Sequence, residues 1–236
     1  MLAPREHAQR SLKREPNTST VGAVYSAAID FRMSISPDTP TFSEPQIKGA
    51  IILPARDWMI KTYGVPAYER ALTAIGPSAA EIVRGKLVSV GWYPLQAWTA
   101  FTSAMRKEVQ ASTGEDGKTF DRRIVFEPTR ETLLKIYRFM LSLFEVSTAT
   151  EKLVPVMNRV YSHGKIDMVS HVPGEIVMRF HDAPPSMQDE IQRQFPLACE
   201  FMLHLAGQQT TEVRPIFKTQ GGKISLELHM KYRKGR

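Results

Sequence analysis

A single cysteine, Cys199, excludes an internal disulfide framework in this chain of 236 residues. No apolar run approaches the roughly 20 residues that span a bilayer, and the opening MLAPREHAQRSLKREPN lacks the apolar stretch of a secretory signal. Histidine is sparse. None of His7, His163, His171, His181, His204 and His229 forms a His-x-x-x-His or Glu-x-x-His pair, so no zinc site is expected. No glycine-rich loop opens a helix after a strand: Gly221-Gly222 sits in a hairpin turn, and Gly114 and Gly117 sit in a charged loop. Cys199 and His204 fall on different sides of one helix, which leaves no nucleophile paired with a base. These absences point to a soluble, cytoplasmic, non-enzymatic protein with no predicted cofactor.

What is present is a core. Hydrophobic residues make up 42% of the chain, and a chain of this size buries roughly 70% of its unfolded surface or more. The net charge of +7 favours an anionic partner such as nucleic acid, anionic lipid or an acidic protein. The charge is spread thinly, however. Its densest cluster, Lys231, Arg233, Lys234 and Arg236, defines the candidate basic surface, and residues 233–236 read more simply as a solvated tail. No helix-turn-helix or zinc-finger pattern supports nucleic-acid binding.

Residues 1–42 mix charges with Ser, Thr, Asn and Pro and read as a flexible extension. Within them, residues 21–33 are apolar enough to form a short element that docks on the body; alternatively, translation starts at Met33. Residues 43–232 form the body. Pro54 suits the first turn of a helix that stops at Gly64, Pro66 opens a second that ends at Gly76-Pro77, and Ser78 suits the N-cap of a third. After the break at Gly91-Trp92-Tyr93-Pro94, two amphipathic helices are predicted over 94–111 and 129–147, joined by a charged loop over 112–123. A further short helix is expected over 150–160.

The last third alternates in the manner of strands. Residues 166–172 and 175–181 flank a Pro173-Gly174 turn, a helix follows over 187–205, and residues 212–218 and 223–232 flank Gln220-Gly221-Gly222. In the first hairpin, facing residue numbers should sum to about 347, which sets His171 against Ile176 and His181 against Ile166. The fold class expected is α+β, with N-terminal helices packed on a C-terminal four-stranded antiparallel sheet.

The stretches Lys48-Gly49-Ala50-Ile51-Ile52, Tyr63-Gly64, Gly91-Trp92-Tyr93-Pro94, Ile136-Tyr137-Arg138, the hairpin after Tyr161, Pro196-Leu197-Ala198-Cys199-Glu200-Phe201 and Gly207 carry a resemblance. Over residues 47–232 the chain resembles the fold group of heme-NO-binding, 4-vinyl reductase and TRAPP vesicle-tethering domains. It is most similar to a bacterial family of roughly this length that bears the label heme-NO-binding-like. The resemblance implies a sensor or adaptor domain, with space between helices and sheet for heme, an acyl chain or a small apolar ligand, or pairing into a homodimer or with a protein partner. Heme is not expected. The predicted helices 94–111 and 129–147 contain no histidine for the iron. The Tyr-x-Ser-x-Arg motif that grips heme propionates is only partly matched by Tyr161-Ser162-His163-Gly164-Lys165. Trp98, Phe101, Met105, Tyr137, Met140 and Phe144, with Cys199 and Met202, are the candidate ligand-pocket residues; as an alternative they are simply core.

Overall fold

The computed structural model describes residues 41–141 and 154–235, with the backbone alone for 129 and 131–141. Phe144 and Arg236, residues 1–40 and the first four residues of the helix expected over 150–160 lie outside the described residues, as do the side chains of Tyr137 and Met140; of that expected helix, 154–157 are helical and 158–160 form turns. The architecture is α+β. In chain order it comprises β1 (Gln46–Lys48), α1 (Gly49–Ala74), α2 (Pro77–Arg84), β2 (Trp92–Pro94), α3 (Leu95–Thr113), α4 (Gly117–Leu141), β3 (Lys165–Val172), β4 (Glu175–Ala183), a 3-10 turn (Pro185–Met187), α5 (Gln188–Leu205), β5 (Gln208–Gln220) and β6 (Lys223–Lys234).

The helical part differs from expectation at three points. First, α1 starts at Gly49, not at Pro54, because the 88–91 loop caps it. Gly49 N–H donates to Gly91 O at 3.0 Å and Ala50 N–H to Ser89 O at 2.9 Å. Gly64, with φ 84° and ψ 160°, breaks α1 into the two arms expected from Gly64 and Pro66. Second, Gly76 rather than Ser78 occupies the N-cap of α2. Third, α4 begins at Gly117, twelve residues before Thr129, so most of the expected loop is helix. Asp116 explains the early start, since its Oδ1 accepts the N–H groups of Lys118 at 2.9 Å and Thr119 at 3.1 Å.

The main sheet has the order β3-β4-β6-β5, all antiparallel. The predicted register holds next to the turn, where His171 faces Ile176. A bulge between Met168 and Ser170 then shifts it by one residue, so His181 faces Lys165 and not Ile166. Strand β6 runs to Lys234 and absorbs Arg233 and Lys234 from the expected tail, because Gln209 and Gln208 of β5 continue to pair with them. Ile176, Met178 and Phe180 of β4 and Leu226, Leu228 and Met230 of β6 are buried on the inner face, which α5 covers. They join the helical residues Met59, Leu72, Phe101, Met105 and Phe120 in one continuous core.

A second, two-stranded sheet pairs β1 with β2, and Ile47 forms a bridge to Tyr161 on its other side. This clasp brings the first described element against the entry to β3. Close by, Gly164 has φ 78°, and a Cβ there would collide with the Phe180 ring. Gly164→Ala should therefore lower unfolding stability by ~2 kcal/mol or more in a urea titration, through both backbone strain and overpacking.

Candidate functional site

Tyr161 sits where the helices meet the sheet. Its neighbours fix its backbone: Lys48 N–H donates to Val160 O at 2.9 Å and Ser162 N–H to Gln46 O at 3.0 Å. Its ring meets Phe180 edge-on, with centroids 5.7 Å apart. Its hydroxyl donates to Glu190 Oε1 at 3.3 Å. Glu190 lies in the first turn of α5 and is only 3% exposed. One helical turn further on, Arg193 reaches towards Asp121 of α4, with Nη1 3.8 Å from Oδ1. Arg106 of α3 approaches the other Asp121 oxygen at 3.6 Å. The result is a buried polar cluster drawn from α3, α4, α5 and the segment before β3.

The cluster is incompletely satisfied. Glu190 Oε2, Asp121 Oδ1 and Arg193 Nη2 are buried without a hydrogen-bond partner. Natural interiors pair nearly all such atoms. Burial pushes the Glu190 carboxyl up to about 7, against the opposing pull of Arg193 and the Tyr161 hydrogen bond. Burial also raises Asp121, with Arg106 and Arg193 opposing. Tyr161 is held well above its ordinary value, first by burial and then by the adjacent Glu190. Burial at this junction favours the neutral form of the Glu190 carboxyl.

The partial motif over 161–165 is occupied internally. Besides the Tyr161 bond to Glu190, Ser162 Oγ accepts Gln46 N–H at 2.7 Å and contacts His163 Nδ1 at 2.8 Å. The other described histidines also lie outside the core. His171 meets Tyr232 at 2.7 Å, His181 bridges Asp167 and Asp182, His229 meets Glu227, and His204 is exposed against Phe126 and Phe201. Among the described residues no cluster of His, Cys, Asp and Glu is arranged to hold a metal ion. No described helix is long and apolar enough to cross a membrane.

The stripe on α3 faces inward: Trp98, Phe101 and Met105 are buried, and Phe101 packs against Tyr68 and Trp98. Cys199 and Met202 belong to the same core, and burial raises the Cys199 thiol. These five residues are thus parts of one core, while the polar cluster beside it went unnoticed in the sequence. A signal existed. Glu190 and Gln194 fall on the stripe of Met187, Ile191, Phe195, Cys199 and Met202, where a charged residue is out of place. The basic candidates are tied to the sheet rather than clustered. Lys231 pairs with Glu212 at 2.7 Å and Arg233 meets Gln209 at 3.3 Å. Glu115, in the stretch expected as a charged loop, accepts from Tyr63 at 3.2 Å and pairs with Arg123 at 2.8 Å. Between α1 and α3 lies an open cleft of about 580 Å³, floored by Ala71, Ala74 and Ala104 and rimmed by the Arg70–Glu108 ion pair.

No family model matches the chain, and the search of curated proteins finds no match. Solved structures do match in fold. An oxygen-binding H-NOX domain related to soluble guanylate cyclases superposes with a TM-score of 0.56 at 10% identity, over 80% of this chain and 96% of that one. An H-NOX structure concerned with heme distortion gives 0.57 at 10% identity, covering 80% and 97%. The Fe(II) unliganded H-NOX protein from K. algicida gives 0.53 at 9% identity, covering 80% and 98%. The chain has an H-NOX-like fold.

Two outcomes follow from the packing. Phe101→Ala should cost ~3–5 kcal/mol of stability by chemical denaturation, as expected for an aromatic ring removed from a filled core. Cys199 should resist a thiol-disulfide reagent in the native protein and react at once in denaturant.

Proposed function

We propose that this domain is a non-catalytic sensor or adaptor that works without heme, taking a small apolar ligand between its helices and sheet and signalling occupancy by association with a protein partner. The likeness to H-NOX domains over 80% of the chain supports the sensor reading. One observation supports the heme-free part: of the three motif positions that the resemblance assigns to propionate contacts, two depart from it, with His163 for serine and Lys165 for arginine, and the tyrosine and the displaced serine are bonded within the protein. Tyr161 is turned to Glu190 and Ser162 to Gln46, and the histidines from His163 to His229 all lie outside the core. An axial ligand has to be a donor side chain aimed at iron from a fixed position, and this donor set does not fit that need. A ligand would enter by parting the packed stripe of Trp98, Phe101 and Met105, where Met105 is able to adapt its shape.

Purified protein titrated with hemin, followed by absorbance, and native mass spectrometry of the protein as isolated together test this reading. The expected result is no stoichiometric Soret band and a co-purifying apolar mass, or a mass shift with added fatty acid. A one-to-one heme complex with a sharp Soret band would overturn it.

A further inference from the structure

Glu190 is a carboxyl in the first turn of α5 with one oxygen held by a 3.3 Å bond from Tyr161 and the other buried without a well-formed hydrogen bond, the Thr99 hydroxyl standing near the carboxyl. The groups around it come from every element of the junction. Tyr161 precedes β3, Thr99 belongs to α3, Asp121 to α4 and Arg193 to α5 itself, while Arg106 of α3 faces Asp121. Ionising both acids would place two negative charges in a region whose orphan polar atoms are sealed from water, a costly arrangement that taking up one proton relieves. Asp121 keeps its charge more readily, because two guanidinium groups flank it at 3.6 and 3.8 Å. Glu190 is left as the acceptor.

We propose that Glu190 is a buried proton-binding site, and that its proton sets how firmly α5 and the 160–162 segment hold to α3 and α4. With the proton on, the carboxyl is neutral and fits the surrounding core. With the proton off, the charge is relieved when the first turn of α5 parts from α3 and α4 and water enters. The site belongs to the fold itself and works whether or not the domain takes a ligand.

The direction of the pH dependence follows. Folding raises this carboxyl from its ordinary 4.5 to about 7. Its contribution to stability is whole below 4.5, falls as pH rises from there through about 7, and is absent above. The surface acids Glu108, Asp116, Glu212 and Glu227, lowered first by hydrogen bonds to Arg70, Thr119, Lys231 and Arg179, have the opposite sign and act at lower pH.

Urea unfolding of the full chain between about pH 5 and pH 8 tests the proposal, beside Glu190→Gln, which keeps the shape and removes the titration. The wild-type folding equilibrium should fall by up to about tenfold per pH unit relative to the variant within that window. The variant should match wild type at the acid end and exceed it at the alkaline end. Amide exchange over 188–195 should speed up in the alkaline wild type beyond the intrinsic rate, but not in the variant. Parallel pH profiles for the two proteins would overturn the proposal. Should the variant fail to fold, NMR titration of the Glu190 carboxyl carbon in wild type decides: a midpoint near 7 supports the site, and one near 4.5 overturns it.

Discussion

The attachment of Tyr161 is the constraint on which the described structure turns. A helical layer and an antiparallel sheet have no common hydrogen-bond ladder, so something must fix one against the other besides apolar contact. Tyr161 does this three ways. Its backbone bridges to Ile47, its ring fills the space against Phe180, and its hydroxyl reaches the start of α5. Gly164 supplies the close approach that lets the chain turn from this clasp into β3 beneath the Phe180 ring.

The clasp also explains why polar groups sit where an apolar core would be cheaper. A half-buried tyrosine with its hydroxyl turned inward needs an acceptor, and Glu190 provides one at the cost of burying a carboxyl. Arg193 offsets part of that cost and brings Asp121 and Arg106 with it. Such clusters add less stability than their number of contacts suggests, since desolvation cancels most of the attraction. What they add is geometry: Glu190 meets its partners only when α5 has one rotation and one height against α3 and α4.

Much of the fold was legible in the sequence, for identifiable reasons. Strands β4 and β6 read clearly because one face is wet, so Ile224, Leu226, Leu228 and Met230 alternate with polar neighbours. Helix α3 read clearly because its stripe of Leu95, Trp98, Phe101, Met105 and Val109 is buried throughout. The start of α4 did not, because its first turns are charged and one local bond set, that of Asp116, decides them. The polar cluster was hidden for a different reason. Tyr161, Glu190, Asp121 and Arg106 are far apart in the chain, and only packing brings them together. The one local clue was a glutamate on an apolar stripe.

The 161–165 stretch shows what a partly matched motif does inside this chain. In the motif of the resemblance, serine and arginine stand two and four places after the tyrosine; here those places hold His163 and Lys165, and the serine is Ser162. Here both hydroxyls act inside the chain, Tyr161 on Glu190 and Ser162 on Gln46 and His163. A donor already bonded to a buried partner is not free for an incoming carboxylate unless that partner gives way, and Glu190, carrying or lacking its own proton, sets the strength of that hold. The H-NOX-like fold persists at about 10% identity because the sheet register and the helix stripes depend on apolar periodicity and not on what Tyr161 bonds.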